Sequence, residues 1–167
     1  MKRLYIKIRD YIQHDIPYGI NNLIKWFPVI WKNRDWDHYF IYVILRHKLH
    51  LTEEHIRVCN NHTTAQQTAK KIKICVNLLD RLISDEYHEM VFKKHDEKWG
   101  EPEFNFKDYN EDSLEATIVH KNVKTVKDKE KERKDFNTSY EHEQYLIKQD
   151  KEMLFKIMNK YIDGWWD

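Results

Sequence analysis

Between residues 26 and 40, in WFPVIWKNRDWDHYF, Trp26, Trp31 and Trp36 stand among Lys32, Arg34, Asp35 and Asp37. Aromatic rings stack on planar bases, and an Arg guanidinium grips phosphate through a two-pronged fork, so this mixture suits a nucleotide. A helix over about 36–51 extends the pattern. At about 100° per residue it sets His38, Tyr39, Tyr42, Arg46 and His50 on one arc and Phe40, Ile41, Val43, Ile44 and Leu45 on the rest. A second polar arc, from Gln66 through Lys70, Lys73, Asn77 and Arg81 to His88, would face the first and complete a cationic groove. The candidate ligand-binding residues are therefore Trp31, Arg34, Trp36, His38, Tyr42, Arg46, His50, Lys70 and Arg81. The plainer reading is that the rings pack on another helix or a partner subunit and the lysines meet solvent.

Other chemistry is less well supported. Asp35, Asp37 and His38 have the types of an acid/base cluster, but aspartates here serve better as helix caps. His47, His50 and Glu54 would share a face, with acceptable ligand types, in a helix unbroken through Thr52. Thr52, followed by Glu53 and Glu54, reads instead as a new N-cap, so no metal, cofactor or catalytic residue is assigned. Three glycines, Gly19, Gly100 and Gly164, cannot build a phosphate loop or a dinucleotide fingerprint. None of Ser84, Ser113 and Ser139 sits in a glycine-flanked elbow, which argues against serine hydrolase chemistry.

Length sets the scale: 167 residues make one domain, 1–167, able to bury a core without staples. A charged fraction of 34% and a mean hydropathy of −0.87 predict a soluble surface. With 29 Lys and Arg against 28 Asp and Glu, bulk charge draws the chain neither to polymeric nucleic acid nor to a membrane. Cys59 and Cys75 read as two buried thiols in a reducing compartment. The N-terminus lacks a signal-peptide apolar stretch, and no run is long and apolar enough to span a bilayer.

The elements that must hold the candidate residues are helical. Two short helices, 3–13 and 18–27, are expected on either side of Pro17, with Pro28 ending the second. After the 36–51 helix comes a short one ending near Asn60 or Asn61, with Asn61 as left-handed cap. A long central helix is expected over about 63–99, opened by a Thr63/Gln66 capping box, lined by Ala65, Ala69, Ile72, Val76, Leu79, Ile83 and Met90, and stopped by Gly100. Residues 101–124 form an irregular or short-β insertion. Thr125 opens a polar helix whose interleaved charges predict a solvated surface. In the tail, Leu154, Ile157, Met158, Tyr161 and Trp165 share a face that packs on the central helix. The fold class is a mainly α, single-domain helical bundle.

The segments WFPVIWKNRDWDHYFIYVILRHKL, NLLDRLISDEY and LFKIMNKYIDGWWD resemble those of small bacteriophage proteins. The resemblance implies a viral protein acting in the cytoplasm of a bacterial host, with no activity or site to carry over. Taken with the aromatic–cationic strip and the missing catalytic motifs, it gives an expected function: non-enzymatic sequestration of a small anionic nucleotide made by bacterial immunity. An interaction or virion-associated protein is the alternative, and a His/carboxylate hydrolase, possibly metal-dependent, the second. Ile74, Leu78 and Phe155 fall outside the apolar arcs, which suggests burial in a homo-oligomer.

Overall fold

The structure is a computed structural model that describes residues 9, 11–34, 36–84, 86–110 and 113–165, with the backbone alone for 107–110 and 113–115. It is mainly helical with a small two-stranded insertion. After a π-helical turn, Tyr11–Asp15, come α1 (Ile16–Lys32), α2 (His38–Cys59), α3 (Ala65–Ile83) and α4 (Glu86–Trp99). Strands β1 (Pro102–Asn110) and β2 (Ser113–His120) form an antiparallel hairpin, and α5 (Val126–Tyr161) crosses back before a 3-10 turn, Ile162–Gly164. Much of the expected 3–13 helix, and the candidate cap Asp35, lie outside the described residues.

Helices α2 and α3 form the central hairpin. Asp37 caps α2 by accepting the Tyr39 N–H at 3.0 Å, and Asn60, with φ 49°, turns the chain out of it. The left-handed cap is thus Asn60 rather than Asn61, one residue earlier in a pair that supplies the same side chain. No cap forms at Thr52: its hydroxyl bonds back to the Lys48 carbonyl at 2.9 Å, so α2 runs through it unbroken. Nor does a Thr63/Gln66 capping box form. Gln66 Nε2 reaches back to the Arg57 carbonyl and Asn60 Oδ1 and ties the α2–α3 turn instead. Pro28 lies inside α1 rather than ending it, and Pro17 occupies its first turn, where a missing N–H costs nothing.

The core is the α3 stripe. Ala65, Ala69, Ile72, Cys75, Val76 and Leu79 are buried against Leu49 and Ile56 of α2 and Leu154 of α5. Each fully buried leucine contributes about 1.5–3 kcal/mol. Leu78 belongs to this core without any second copy, whereas Ile74, Phe155 and Met90 stay exposed. The tail packs as its spacing predicts: Ile157, Met158 and Trp165 lie on the core, and the Lys71 ammonium sits 4.1 Å from the Tyr161 ring centre.

The expected 63–99 helix breaks at Ser84, whose extended backbone, ψ 150°, ends α3. The longest helix is instead α5, 36 residues or about 54 Å. Its capping box joins Thr125 and Asp128, and the two bonds from Thr125 hold the Asp128 carboxyl below the usual carboxylate range. Helix α5 is not a free polar rod, because Glu143 and Asp150 are buried against its neighbours.

The two thiols differ. Cys75 is buried and Cys59, the last residue of α2, is exposed, and burial pushes the Cys75 thiol up to about 11. Ellman titration is expected to find one fast thiol in the native protein and two in denaturant; two fast native thiols would contradict this packing.

Candidate metal centre

Helices α4 and α5 run antiparallel, and α5 meets α4 with acids. Tyr87 donates to Asp150 Oδ2 at 2.5 Å, His88 Nδ1 lies 3.3 Å from Glu143 Oε1, His95 Nε2 lies 3.4 Å from Glu132 Oε1, and Trp99 Nε1 donates to Asp135 Oδ2 at 3.0 Å. The partners run back along α5 from Asp150 to Glu132, Trp99 reaches back to Asp135, and the buried Phe92 meets the partly exposed Phe136 between them at 5.3 Å between ring centres. Lys98 joins Asp135 at 2.5 Å. Its bond and that of Trp99 hold the Asp135 carboxyl below its ordinary range.

The hairpin adds a third element at the end of this seam. Gly100, with φ 82°, reverses the chain after α4. The Asn122 N–H then donates to the Trp99 carbonyl at 2.8 Å, and Asn122 Nδ2 to the Lys98 carbonyl at 3.2 Å. The base of the hairpin is thereby sewn to the end of α4. His120, the last residue of β2, comes to rest with its ring 4.8 Å from that of His95. The Thr125 cap starts α5 a short turn later and delivers Glu132, whose Oε1 lies 3.0 Å from His120 Nδ1.

His95, His120 and Glu132 thus converge, each offering one ligand atom, all within 4.8 Å of one another. Their side chains are 1%, 10% and 14% exposed, so the cluster is nearly dry. His95 Nδ1 faces Asp96 Oδ1 at 3.1 Å, and that carboxylate accepts only if Nδ1 carries the proton. In the neutral ring this leaves a lone pair on Nε2, which is buried and makes no hydrogen bond despite its 3.4 Å approach to Glu132. A buried acceptor without a donor is costly. A cation removes that cost, and a carboxylate behind the far nitrogen is the usual support for a ligating histidine. Tetrahedral ligands about 2.1 Å from a zinc ion stand about 3.4 Å apart, close to the two separations found here.

Access comes from two sides. A cavity of about 280 Å³ is lined by His120 and Glu132 together with Lys124, Thr125 and Lys129. Another, of about 270 Å³, is lined by His95 with Lys94, Lys98, Asp135 and Ser139.

The residues singled out in the sequence are placed differently. Arg46 is paired with Asp80 across α2 and α3, and Arg81 with Asp150 at 2.7 Å, so both guanidinium groups already hold carboxylates. Tyr42 packs on the core, with the Lys151 ammonium 5.9 Å from its ring centre. Trp31 stacks on Phe27 at 5.3 Å, and His38 lies 3.4 Å from Asp37. His50, Lys70, Arg34 and Trp36 are exposed. Arg34 and Trp36 lie between α1 and α2 and His38 opens α2, whereas Arg81 lines a separate cavity of about 120 Å³ with Tyr87 and Asp150. Burial and the Asp150 contact drive the Tyr87 hydroxyl pKa upward, so this group stays a neutral donor.

Sequence reasoning looked for metal at His47, His50 and Glu54 and assigned none. Although α2 runs through Thr52 as that trio requires, His47 Nε2 is directed to the Lys25 carbonyl at 3.1 Å. Among the described residues the group with metal-binding geometry is His95, His120 and Glu132. The available signal was His95 on the buried stripe of α4 with Phe92 and Trp99. No protein-family model, curated protein or solved structure matches the chain.

Gly100 carries the first test of this assembly. A Cβ there would meet Lys121 Cβ at 3.0 Å at a φ that L residues rarely adopt. Gly100→Ala is expected to destabilise the fold by about 1–2 kcal/mol in urea melts. Gly19→Ala, inside α1 with nothing within 4 Å, should be neutral or stabilising by about 0.5–1 kcal/mol. Equal effects at the two sites would deny the hairpin its anchoring turn.

Proposed function

We propose that this protein is metal-dependent, holding a divalent cation of the zinc class through His95, His120 and Glu132 and acting hydrolytically on a small anionic molecule. The observation that carries the reading is the buried His95 Nε2, aimed without a hydrogen bond at a carboxylate shared with His120. Two imidazoles and one carboxylate are borderline ligands suited to zinc, and three protein ligands leave a position for water or substrate. A cation so held lowers the pKa of its water toward neutrality and polarises a carbonyl or phosphoryl oxygen. Lys124 and Lys129 supply positive charge in the cavity that His120 and Glu132 line, which favours an anionic substrate. Asp96 is the positioning residue that would keep the His95 lone pair turned inward.

A second reading, sequestration of a small anionic nucleotide without turnover, is supported by the α1–α2 connection. Trp36 is 81% exposed there, beside the exposed Arg34 and His38. The pairing of Arg46 and Arg81 with acids leaves that corner fewer cations than the sequence suggests. Either reading suits a phage-encoded protein of the kind that the tryptophan-rich segment resembles, acting in its host's cytoplasm.

Elemental analysis and zinc titration of the full chain test the first reading. One zinc per chain is expected, with a chelator-reversible rise in melting temperature. His95→Gln and Glu132→Gln should each weaken binding roughly 100-fold or more, and Asp96→Asn roughly 10-fold. Folded wild-type protein that binds no divalent cation, or variants that bind as well as wild type, would overturn it. A nucleotide that raises the melting temperature of metal-free protein and is recovered unchanged would move the second reading ahead.

A further inference from the structure

Helix α1 is amphipathic, but it does not use its apolar face to join the fold. At about 100° per residue, Ile16, Ile20, Leu23, Ile24, Phe27, Ile30 and Trp31 fall within an arc of about 120°, while Lys25 and Lys32 lie on the opposite side. The contact with the body is made by neither face but by a flank. Trp26 is half-buried, with its ring edge-on to His47 at 5.0 Å, and Asn22 and Val29, on the same flank, are the other half-buried positions of the helix. The apolar arc meets solvent instead: Leu23 is 71% exposed, Phe27 58% and Trp31 75%. Of the apolar residues Trp26, Phe27, Val29 and Ile30 in this stretch, Trp26 and Val29 alone are half-buried. So large a continuous apolar face asks for an occupant.

Charge selects the occupant. Residues 1–34 carry seven Lys or Arg against two Asp, whereas the remaining 133 residues carry 22 against 26. The near-zero net charge therefore hides a basic N-terminal part on a mildly acidic body. Stacking two such segments from two copies brings like charges together. An anionic bilayer opposes them with the right sign and offers an apolar layer to the exposed arc. Trp36, just past the helix, is a residue type that settles at the boundary between headgroups and water. No described helix is long and apolar enough to cross a membrane, and this contact needs none.

We propose that α1 is a membrane-surface helix, whose Leu23–Ile24–Phe27–Trp31 face lies in the headgroup boundary of an anionic lipid bilayer and is held there by the basic N-terminal part. The inference is independent of the metal centre.

The test is co-sedimentation of the full chain with phosphatidylcholine vesicles made with or without phosphatidylglycerol, at low and high salt. The pelleted fraction is expected to be roughly tenfold or more higher on the anionic vesicles, to fall with salt, and to shift tryptophan emission to the blue. Phe27→Glu and Ile24→Glu should each return pelleting to background without changing the melting temperature, because these side chains meet solvent in the fold. Failure to pellet with anionic vesicles, or equal pelleting on neutral ones, would overturn the proposal. If wild type stays off vesicles and is a dimer in sedimentation velocity while Phe27→Glu is a monomer, a second copy covers the face and the lipid assignment is wrong.

Discussion

The seam between α4 and α5 is the interaction on which the rest of the molecule depends. Acids projecting from α5 meet hydroxyl, indole, imidazole and ammonium groups of α4 along its length, and the two ends of the seam do different work. At one end Asp150 takes bonds from both Tyr87 and Arg81, so a single buried carboxylate fastens the end of α3 and the start of α4 to the same turn of α5. The break at Ser84 is held in place by that clamp. At the other end Asp135 takes Trp99 and Lys98, fixing the last turn of α4 where the hairpin begins. At the Asp150 end, where Tyr87 and Asp150 are both buried, removing one partner leaves the other unsatisfied, so that contact holds geometry more firmly than its net energy suggests.

That seam also explains which parts of the molecule could be read in advance. The α3 stripe was legible because Ala65, Ala69, Ile72, Val76 and Leu79 repeat at helical spacing and their burial needs only one apolar face. The tail was legible for the same reason. The α4–α5 contact was not, because much of what α5 brings to it is acidic: the buried Glu143 and Asp150 and the largely covered Glu132 look in sequence like the solvated face of a Lys- and Glu-rich helix. Period shows where a helix turns, but not which of its acids will find a partner. The break at Ser84 was hidden too, since the helical spacing of apolar residues passes through it into Tyr87 and Phe92.

The candidate centre was less legible still. His95 and Glu132 lie 37 positions apart with a hairpin between them, and their meeting depends on a positive-φ glycine, the Asn122 stitches and a helix cap acting together. Each of these had a local signal: Gly100 as a stop, ATIVH as strand, Thr125 as an opening cap. Only the folded chain shows that they bring His120 to the other two. The aromatic–cationic strip is the opposite case. Its members share helix arcs, but Arg46 and Arg81 found carboxylates on neighbouring helices before any ligand could use them.

A dry cluster of two imidazoles and a carboxylate raises a question of charge that packing alone does not answer. Glu132 is withdrawn from water and shared between His120 at 3.0 Å and His95 at 3.4 Å, and Asp96 stands behind His95 at 3.1 Å. A core built only for stability does better with apolar residues of the same volume, because desolvating charge costs more than an imperfect pair returns. The buried Phe92 ring beside the cluster shows that this seam accommodates such a residue. Retaining acceptors here, one of them without a donor, makes sense when a cation neutralises them. Folding and metal binding are then linked, because the ligands come from α4, β2 and α5 and are brought together only by the completed fold. His120 and Glu132 also form part of the wall of a cavity lined by Lys124 and Lys129, so an anion entering it would meet them.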